Sequence, residues 1–263
     1  MKTAALIDGD IIAYKHASAA EVPVEWEDDL WTLHADANEA RVAIDAEIAS
    51  IKETLHAEVV VVAVSDKGNF RKSLYPEYKA NRAKTRKPLV LSAMRQHLLD
   101  AYDAYTKPGL EADDILGILA THPSIVRADR RVIVSIDKDF EGVPCHLWNP
   151  NTDTFVRTIS DHAANRWHLI QTLTGDATDN YPGCPGIGPV KAAVLVDKAL
   201  ADSDPWSVIV DAFIKAGLTS ADALLQARLA RILRAPEYNF KTKLPLLWEP
   251  ALLKVTPGIQ SGQ

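Results

Sequence analysis

Residues 4–10 read AALIDGD, a short apolar run that stops on an aspartate. The same phrase returns as VVVVAVSD at 59–66 and as VIVSIDKD at 132–139. Four to six consecutive apolar residues, rich in β-branched side chains, suit a strand buried on both faces. Between them lie helix-period patterns over 36–56, 90–102 and 112–121. Strand, helix, strand, helices, strand is the alternation of an α/β fold with a mostly parallel central sheet flanked by helices.

Working outward, CHLWNPNTDTFVRTI at 145–159 offers two short strands around Asn149-Pro150-Asn151. From Ser160 onward the chain is mostly helical, with Ser160 or Asp161 as N-cap. The expected division is therefore an α/β domain over 1–158 and a helical domain over 159–263, with residues 256–263 fraying.

The 263 residues are 47% hydrophobic, ordinary for a soluble protein. No apolar run approaches the roughly 20 residues that cross a bilayer, and Asp8 and Asp10 interrupt what would be a signal-peptide core. Cys145 and Cys184 are too few for a disulfide framework. A cytoplasmic protein is expected. Net charge is −6, which taken alone disfavours a polyanionic partner. Its distribution reverses that inference, because Lys67, Arg71, Lys72, Lys79, Arg82, Lys84, Arg86, Lys87 and Arg95 face Glu77 alone within 67–95.

Each of the three strands ends in acid: Asp8, Asp66, then Asp137 with Asp139. Strand C-termini of a parallel sheet form its ligand crevice, so these carboxylates are expected to converge. GLEADDILGILA adds Glu111, Asp113 and Asp114 at a helix start, where acids also suit the helix dipole. GDATDNYPGCPGIGPVKA at 175–192 adds Asp176 and Asp179. So many carboxylates in one crevice repel one another unless cations neutralise them. All-oxygen ligation favours Mg²⁺ or Mn²⁺, and scattered histidines with unpaired cysteines disfavour zinc. Two such ions can activate water and stabilise the leaving oxygen of a phosphodiester.

In the 175–192 stretch, Gly186-Ile187-Gly188 permits a tight turn and Pro189 suits the first helical position. Amides at such a helix start bind phosphate without reading bases, and Lys191 adds charge. There is no third glycine at dinucleotide spacing, no GxxxxGK[ST] and no G-x-S-x-G, which removes nucleotide-cofactor and serine-hydrolase readings.

LIDGD, VSDKGNFRKSLYPEYKANR, GLEADDILGILA, VIVSIDKDF and LTGDATDNYPGCPGIGPVKAA, in that order over residues 4–197, resemble the 5′-nuclease family of phage 5′–3′ exonucleases, flap endonucleases and the N-terminal domain of bacterial DNA polymerase I. The resemblance implies a PIN-like fold with a C-terminal helix-hairpin-helix (H3TH) element. It implies Asp8, Asp66, Glu111, Asp113, Asp114, Asp137, Asp139, Asp176 and Asp179 as metal-binding acids carrying two or more Mg²⁺. Lys79 and Arg82 match residues that contact the scissile phosphate at the base of a helical arch or clamp, and Tyr78 matches a base-stacking position. Lys84, Arg86 and Lys87 would steer the strand, while Gly186, Gly188 and Lys191 would grip duplex backbone, often with K⁺ among the carbonyls. The chain departs from the family at Asp10, an added acid, and in a slightly short Asp66–Phe70 segment. The implied enzyme is a stand-alone, monomeric nuclease of phage type in DNA replication or repair. It would cut DNA carrying a 5′ end, nick or flap and leave a 5′-phosphate.

Two other readings compete. DGD and GDATD imitate the motifs of a haloacid-dehalogenase-like phosphatase, in which Asp8 would be the nucleophile, but Ile12 stands where Thr or Val is usual. A non-catalytic DNA-binding module would use only the turn and the basic stretch. The six tryptophans, Trp148, Trp167 and Trp206 among them, are expected to pack in the core or at an interface rather than stack on bases.

Overall fold

The structure, a computed structural model, describes residues 1–201 and 204–253, so the expected fraying of 256–263 lies outside the described residues. All six residues of β1 (Thr3–Asp8) are buried, as a strand covered on both faces requires. Asp8 then caps α1 (Gly9–Ala19) by accepting the Ile11 amide. A hairpin follows, β2 (Glu21–Glu27) and β3 (Leu30–Ala35), before Asp36 caps α2 (Ala37–Thr54) through the amides of Asn38 and Glu39. Next come β4 (Val59–Ala63), the single turn α3 (Arg71–Leu74), α4 (Leu91–Ala101) and β5 (Asp103–Tyr105). The α/β part closes with α5 (Ala112–Thr121), β6 (Arg130–Val134), β7 (His146–Trp148) and β8 (Arg157–Thr158).

The sheet order is β5-β4-β1-β6-β7-β8, parallel except for the β7–β8 pair. The chain builds outward from β1 to one side and then to the other. The switch of direction opens a crevice at the C-terminal ends of β1, β4 and β6. Alternate β1 residues feed separate cores. Ala5 and Ile7 pack with Ile12, Ile44, Met94 and Leu98 of α1, α2 and α4, while Ala4 and Leu6 pack with Leu116 of α5, Ile133 and Phe140. Each fully buried Leu or Ile contributes about 1.5–3 kcal/mol.

Ser160 caps α6 (Asp161–Thr174) by accepting the Ala163 amide. Then follow α7 (Pro189–Leu200), α8 (Pro205–Lys215) and α9 (Ser220–Ala230), which bury Leu173, Ile187, Val196, Ile209, Phe213 and Trp248 together. After α9 the chain returns to the sheet. Ile232, Leu233 and Tyr238 join the α5 core, and a Cβ on Gly117 of α5 would stand 2.4 Å from the Leu233 carbonyl oxygen. The strands β9 (Tyr238–Asn239) and β10 (Leu244–Pro245) form a small antiparallel pair.

The β2–β3 hairpin departs from the sequence reading, which left 21–35 unassigned. Pro23 and the acids at 21, 25 and 27 mask its alternation. On this ribbon Trp26 and Trp31 are 60% and 56% exposed. Trp248 is buried, with Trp206 against its edge at 5.1 Å. Among the described residues no helix is long and apolar enough to cross a membrane.

Candidate active site

The end of β1 places Asp8 opposite Ala63 of β4, one residue beyond the Ile7–Val134 pair with β6. Ser135, directly after β6, joins two of the acids. Its hydroxyl donates to Asp8 Oδ2 at 3.1 Å and accepts the Asp137 amide at 3.1 Å. Asp137 in turn accepts the Asp139 amide at 2.8 Å. Asp113, in the first turn of α5, feels Asp8 and Asp137 across the crevice. No cation pairs with Asp8, Asp113 or Asp137 among the ion pairs of the described residues. The electrostatics follow: burial, then Asp10 and Asp137, push Asp8 up to about 7. Burial, then Asp8, Asp137 and Glu111, push Asp113 well above the usual carboxylate range. Burial and Asp137 push Asp139 up to about 7, although Lys138 opposes them. Gln171 of α6 fixes Asp139 by donating to its Oδ1 at 2.6 Å.

A second group of acids carries its own cations. Lys79 pairs with Glu111, and Lys79 and Arg71 together hold that carboxyl at about 2 against the opposing effect of burial. Asp179 accepts from Arg82 Nη2 and from the Tyr78 hydroxyl, both at 2.7 Å. Asp176 accepts from Lys138 Nζ at 3.0 Å, which keeps it below its ordinary value despite partial burial. Asp66 stands apart, held low by the amides of Gly109, Lys67 and Gly68. Asp10 pairs with Arg95 at 3.2 Å and accepts the Ser65 amide. Among the described residues no three His, Cys, Asp or Glu side chains already close on one point as an ion cage.

The 5′-3′ exonuclease N-terminal resolvase-like domain model matches residues 3–162. The chain belongs to the 5′-3′ exonuclease family. Relatives include the exodeoxyribonuclease of Enterobacteria phage T3, 34% identical over 93% of this chain and 92% of that one, and the exonuclease of Escherichia phage T7, 35% identical over 93% of each. The flap endonuclease Xni of a Shewanella strain is 30% identical over 72% of this chain and 74% of its own. The T5 D15 protein co-crystallized with metal ions shares the fold, with a TM-score of 0.64 at 16% identity over 87% of this chain and 89% of that one. Membership in this 5′-3′ exonuclease family removes the phosphatase reading.

Two expectations drawn from the resemblance need correction. Tyr78 is 2% exposed, stacked on Tyr181 at 6.4 Å, with its hydroxyl on Glu111 and Asp179; no face is left for a base. Asp114 is fully buried, with Arg71 Nη1 and Nη2 on its two oxygens at 2.8 Å and the Leu233 amide at 3.1 Å. That carboxylate is spent on an ion pair, so the geometry assigns it to structure. The segment before α4, where the arch or clamp is expected, holds turns and a five-residue 3-10 helix, Ala80–Lys84, entered through Lys79 at φ 56°. Of the other basic residues, Lys84 and Lys87 are exposed, and Arg86 forks onto Glu21 at 2.7 and 2.6 Å.

The 175–188 turn is built as its glycines suggest. Gly175 ends α6 at φ 66°, Asp176 and Tyr181 bridge, and Gly188 caps α7 with Pro189 at its first turn. Gly186, at φ 73°, faces open space, and the exposed Lys191 reaches back to its carbonyl at 3.4 Å. Gly183 lies on Gly175 so closely that a Cβ would meet the Gly175 nitrogen at 2.3 Å. Gly183→Ala, which also strains φ 66°, is expected to cost about 1–3 kcal/mol or more. Urea unfolding checks this.

Ser135, Lys138 and Gln171 carry the site and were not singled out in the sequence, and Arg71, named there only as part of the basic stretch, carries it with them. Ser135 had a readable signal, since a hydroxyl between a strand end and its terminal acid is placed to bridge neighbours.

Proposed function

We propose that this member of the family is a divalent-metal-dependent 5′–3′ exonuclease and flap endonuclease. It cleaves DNA by breaking the P–O3′ bond, adding water oxygen to phosphorus and leaving a 5′-phosphate. The observation that carries the reading is the crowding of Asp8, Asp113, Asp137 and Asp139 at the sheet's switch point, three of them pushed up by burial and by one another. Apart from Lys138, 3.8 Å from Asp139, this set has no ion-pair partner among the described residues, and its hard oxygen donors fit Mg²⁺ or Mn²⁺. Asp8, Asp113, Asp137 and Asp139 would hold one ion or two, with Asp66, Asp176, Asp179 and Glu111 at the rim. A divalent cation bound there supplies Lewis acidity to the phosphate and lowers the pKa of a coordinated water.

The chain's own residues do the positioning. Ser135 and Gln171 orient Asp8 and Asp139. Lys79 and Arg82, resting on Glu111 and Asp179, stand where a phosphate arriving at the acids would compete for them. In this reading residues 1–158 form the nuclease domain, and 159–263 form the DNA-binding domain with its H3TH turn at Gly186, Gly188 and Lys191, whose backbone carbonyls would hold a K⁺. DNA steering falls to exposed Lys84 and Lys87, with Arg86 after release from Glu21. In this reading the enzyme is of phage type, as its T3 and T7 relatives are, and acts as a monomer in the host cytoplasm.

End-labelled nicked, gapped, blunt and flapped DNA, incubated with Mg²⁺, Mn²⁺ or EDTA, tests this. Release of 5′-phosphorylated products with either metal and none in EDTA is expected. Hydrolysis of p-nitrophenyl phosphate without DNA cleavage, or DNA binding alone, would overturn the reading. Metal requires the carboxylate forms, so acids raised to about 7 hold protons against it below that pH. The half-saturating Mg²⁺ concentration should therefore fall as pH rises from about 6 to 8 and level off above.

A further inference from the structure

Where the chain returns from α9 to the sheet, two arginines are buried with unused donors. Arg231 and Arg234 are 4% and 9% exposed. Arg231 gives Nε to Glu237 at 2.9 and 3.0 Å, and its Nη1 has no partner. Arg234 gives Nη2 to the Gly142 carbonyl at 3.1 Å, its Nη1 lies 3.7 Å from the exposed carboxylate of Asp161, and its Nε has no partner. Both side chains line a cavity of about 410 Å³ together with Thr121, Glu237 and the exposed Asp161. A third unpartnered donor, Trp167 Nε1, belongs to a ring 3.4 Å from the Cβ position of Gly142. Glu237 is already taken by Arg231 and by the Arg234 amide at 2.9 Å. Two cations thus share one buried anion, and burial with the neighbouring Arg231 pushes Arg234 down to about 9.

Buried donors and charges are normally paired, and a guanidinium fork matches the oxygens of a tetrahedral oxyanion. We propose that Arg231 and Arg234 form a phosphate-binding site at the seam between the sheet and the C-terminal helices. The site is distinct from the acid crevice. Asp113 lies in the first turn of α5 and Thr121 ends it, so eight residues of helix, about 12 Å, separate the two. The cavity exceeds one oxyanion, so the phosphate can be inorganic or the head of a 5′-nucleotide. Both share the chemistry the arginines recognise.

The test uses the full chain in EDTA, which removes metal-dependent binding at the acids and keeps this proposal separate from the nuclease reading. Calorimetric titration with inorganic phosphate, with dTMP and with thymidine, at ionic strength matched by NaCl, should give millimolar or tighter binding for the first two and none for thymidine. Tighter dTMP than phosphate assigns a nucleotide; equal affinities assign the free anion. At about 10 mM phosphate the thermal midpoint should rise relative to chloride. Arg234→Met should lose that rise and be no less stable than the parent chain in chloride. Asp161→Asn changes an exposed residue and removes a competing acid, so it should tighten phosphate about threefold. If Arg234→Met does not fold, the Asp161→Asn titration decides. No binding by the parent chain, an undiminished shift in Arg234→Met, or unchanged affinity in Asp161→Asn would overturn the proposal and leave water as the cavity's occupant.

Discussion

Asp113→Ala is expected to reduce cleavage by about 10³-fold or more, since a lost metal ligand removes several kcal/mol of transition-state stabilisation at 1.36 kcal/mol per tenfold. Duplex binding should remain close to that of the parent chain, because the basic residues at 79–87 and the 175–188 turn are untouched. The acid lies in the most crowded part of the crevice, under the combined fields of Asp8, Asp137 and Glu111. Deleting it relieves repulsion, so the metal-free variant should melt no lower than the parent chain. Loss of activity with undiminished stability separates a metal-holding role from a structural one. Single-turnover cleavage and gel-shift binding in Ca²⁺ are the measurements, and cleavage within tenfold of the parent rate would remove Asp113 from the centre.

Arg71→Met should act in the opposite sense, on stability first. Arg71 is 2% exposed and forks onto Asp114, while its Nε and Nη2 also reach the carbonyls of Leu229 and Arg231. Removing it strands a fully buried carboxylate, which typically costs about 3–5 kcal/mol. Restoring neutrality with Asp114→Asn in the same chain should recover part of that loss. Urea denaturation of the two single variants and the double variant gives the coupling directly. A loss below about 1 kcal/mol for Arg71→Met would show that the pair does not carry the contact between α3, α5 and the return segment.

The parallel sheet was legible because its strands announce themselves as uninterrupted apolar runs, and the acids that end them fall where strand ends form a crevice. The helices at 37–54, 91–101 and 112–121 followed from their apolar period and fell within a residue or two of expectation. What escaped was decided by partners distant in sequence. Glu111, Asp113 and Asp114 occupy one helical turn, yet one pairs with Lys79, one faces other acids and one is consumed by Arg71. Nothing in their spacing distinguishes these fates. Tyr78 was misread for the same reason, because its burial depends on Tyr181 about one hundred residues away. The exposed ribbon at 21–35 was hidden because a two-stranded hairpin outside the core needs no strong alternation of apolar residues.

The passage from α9 back to the sheet bears on how this protein can be recombined. Residues 229–233 supply carbonyls to Arg71, an amide to Asp114 and apolar side chains to the layer behind the acids. The helical half is therefore not a detachable adaptor that merely delivers nucleic acid. Chimaeras that exchange it with a relative's at a junction near 158 would have to carry a matched Arg71–Asp114 pair across the joint, or the helix bearing Asp113 would lose its footing.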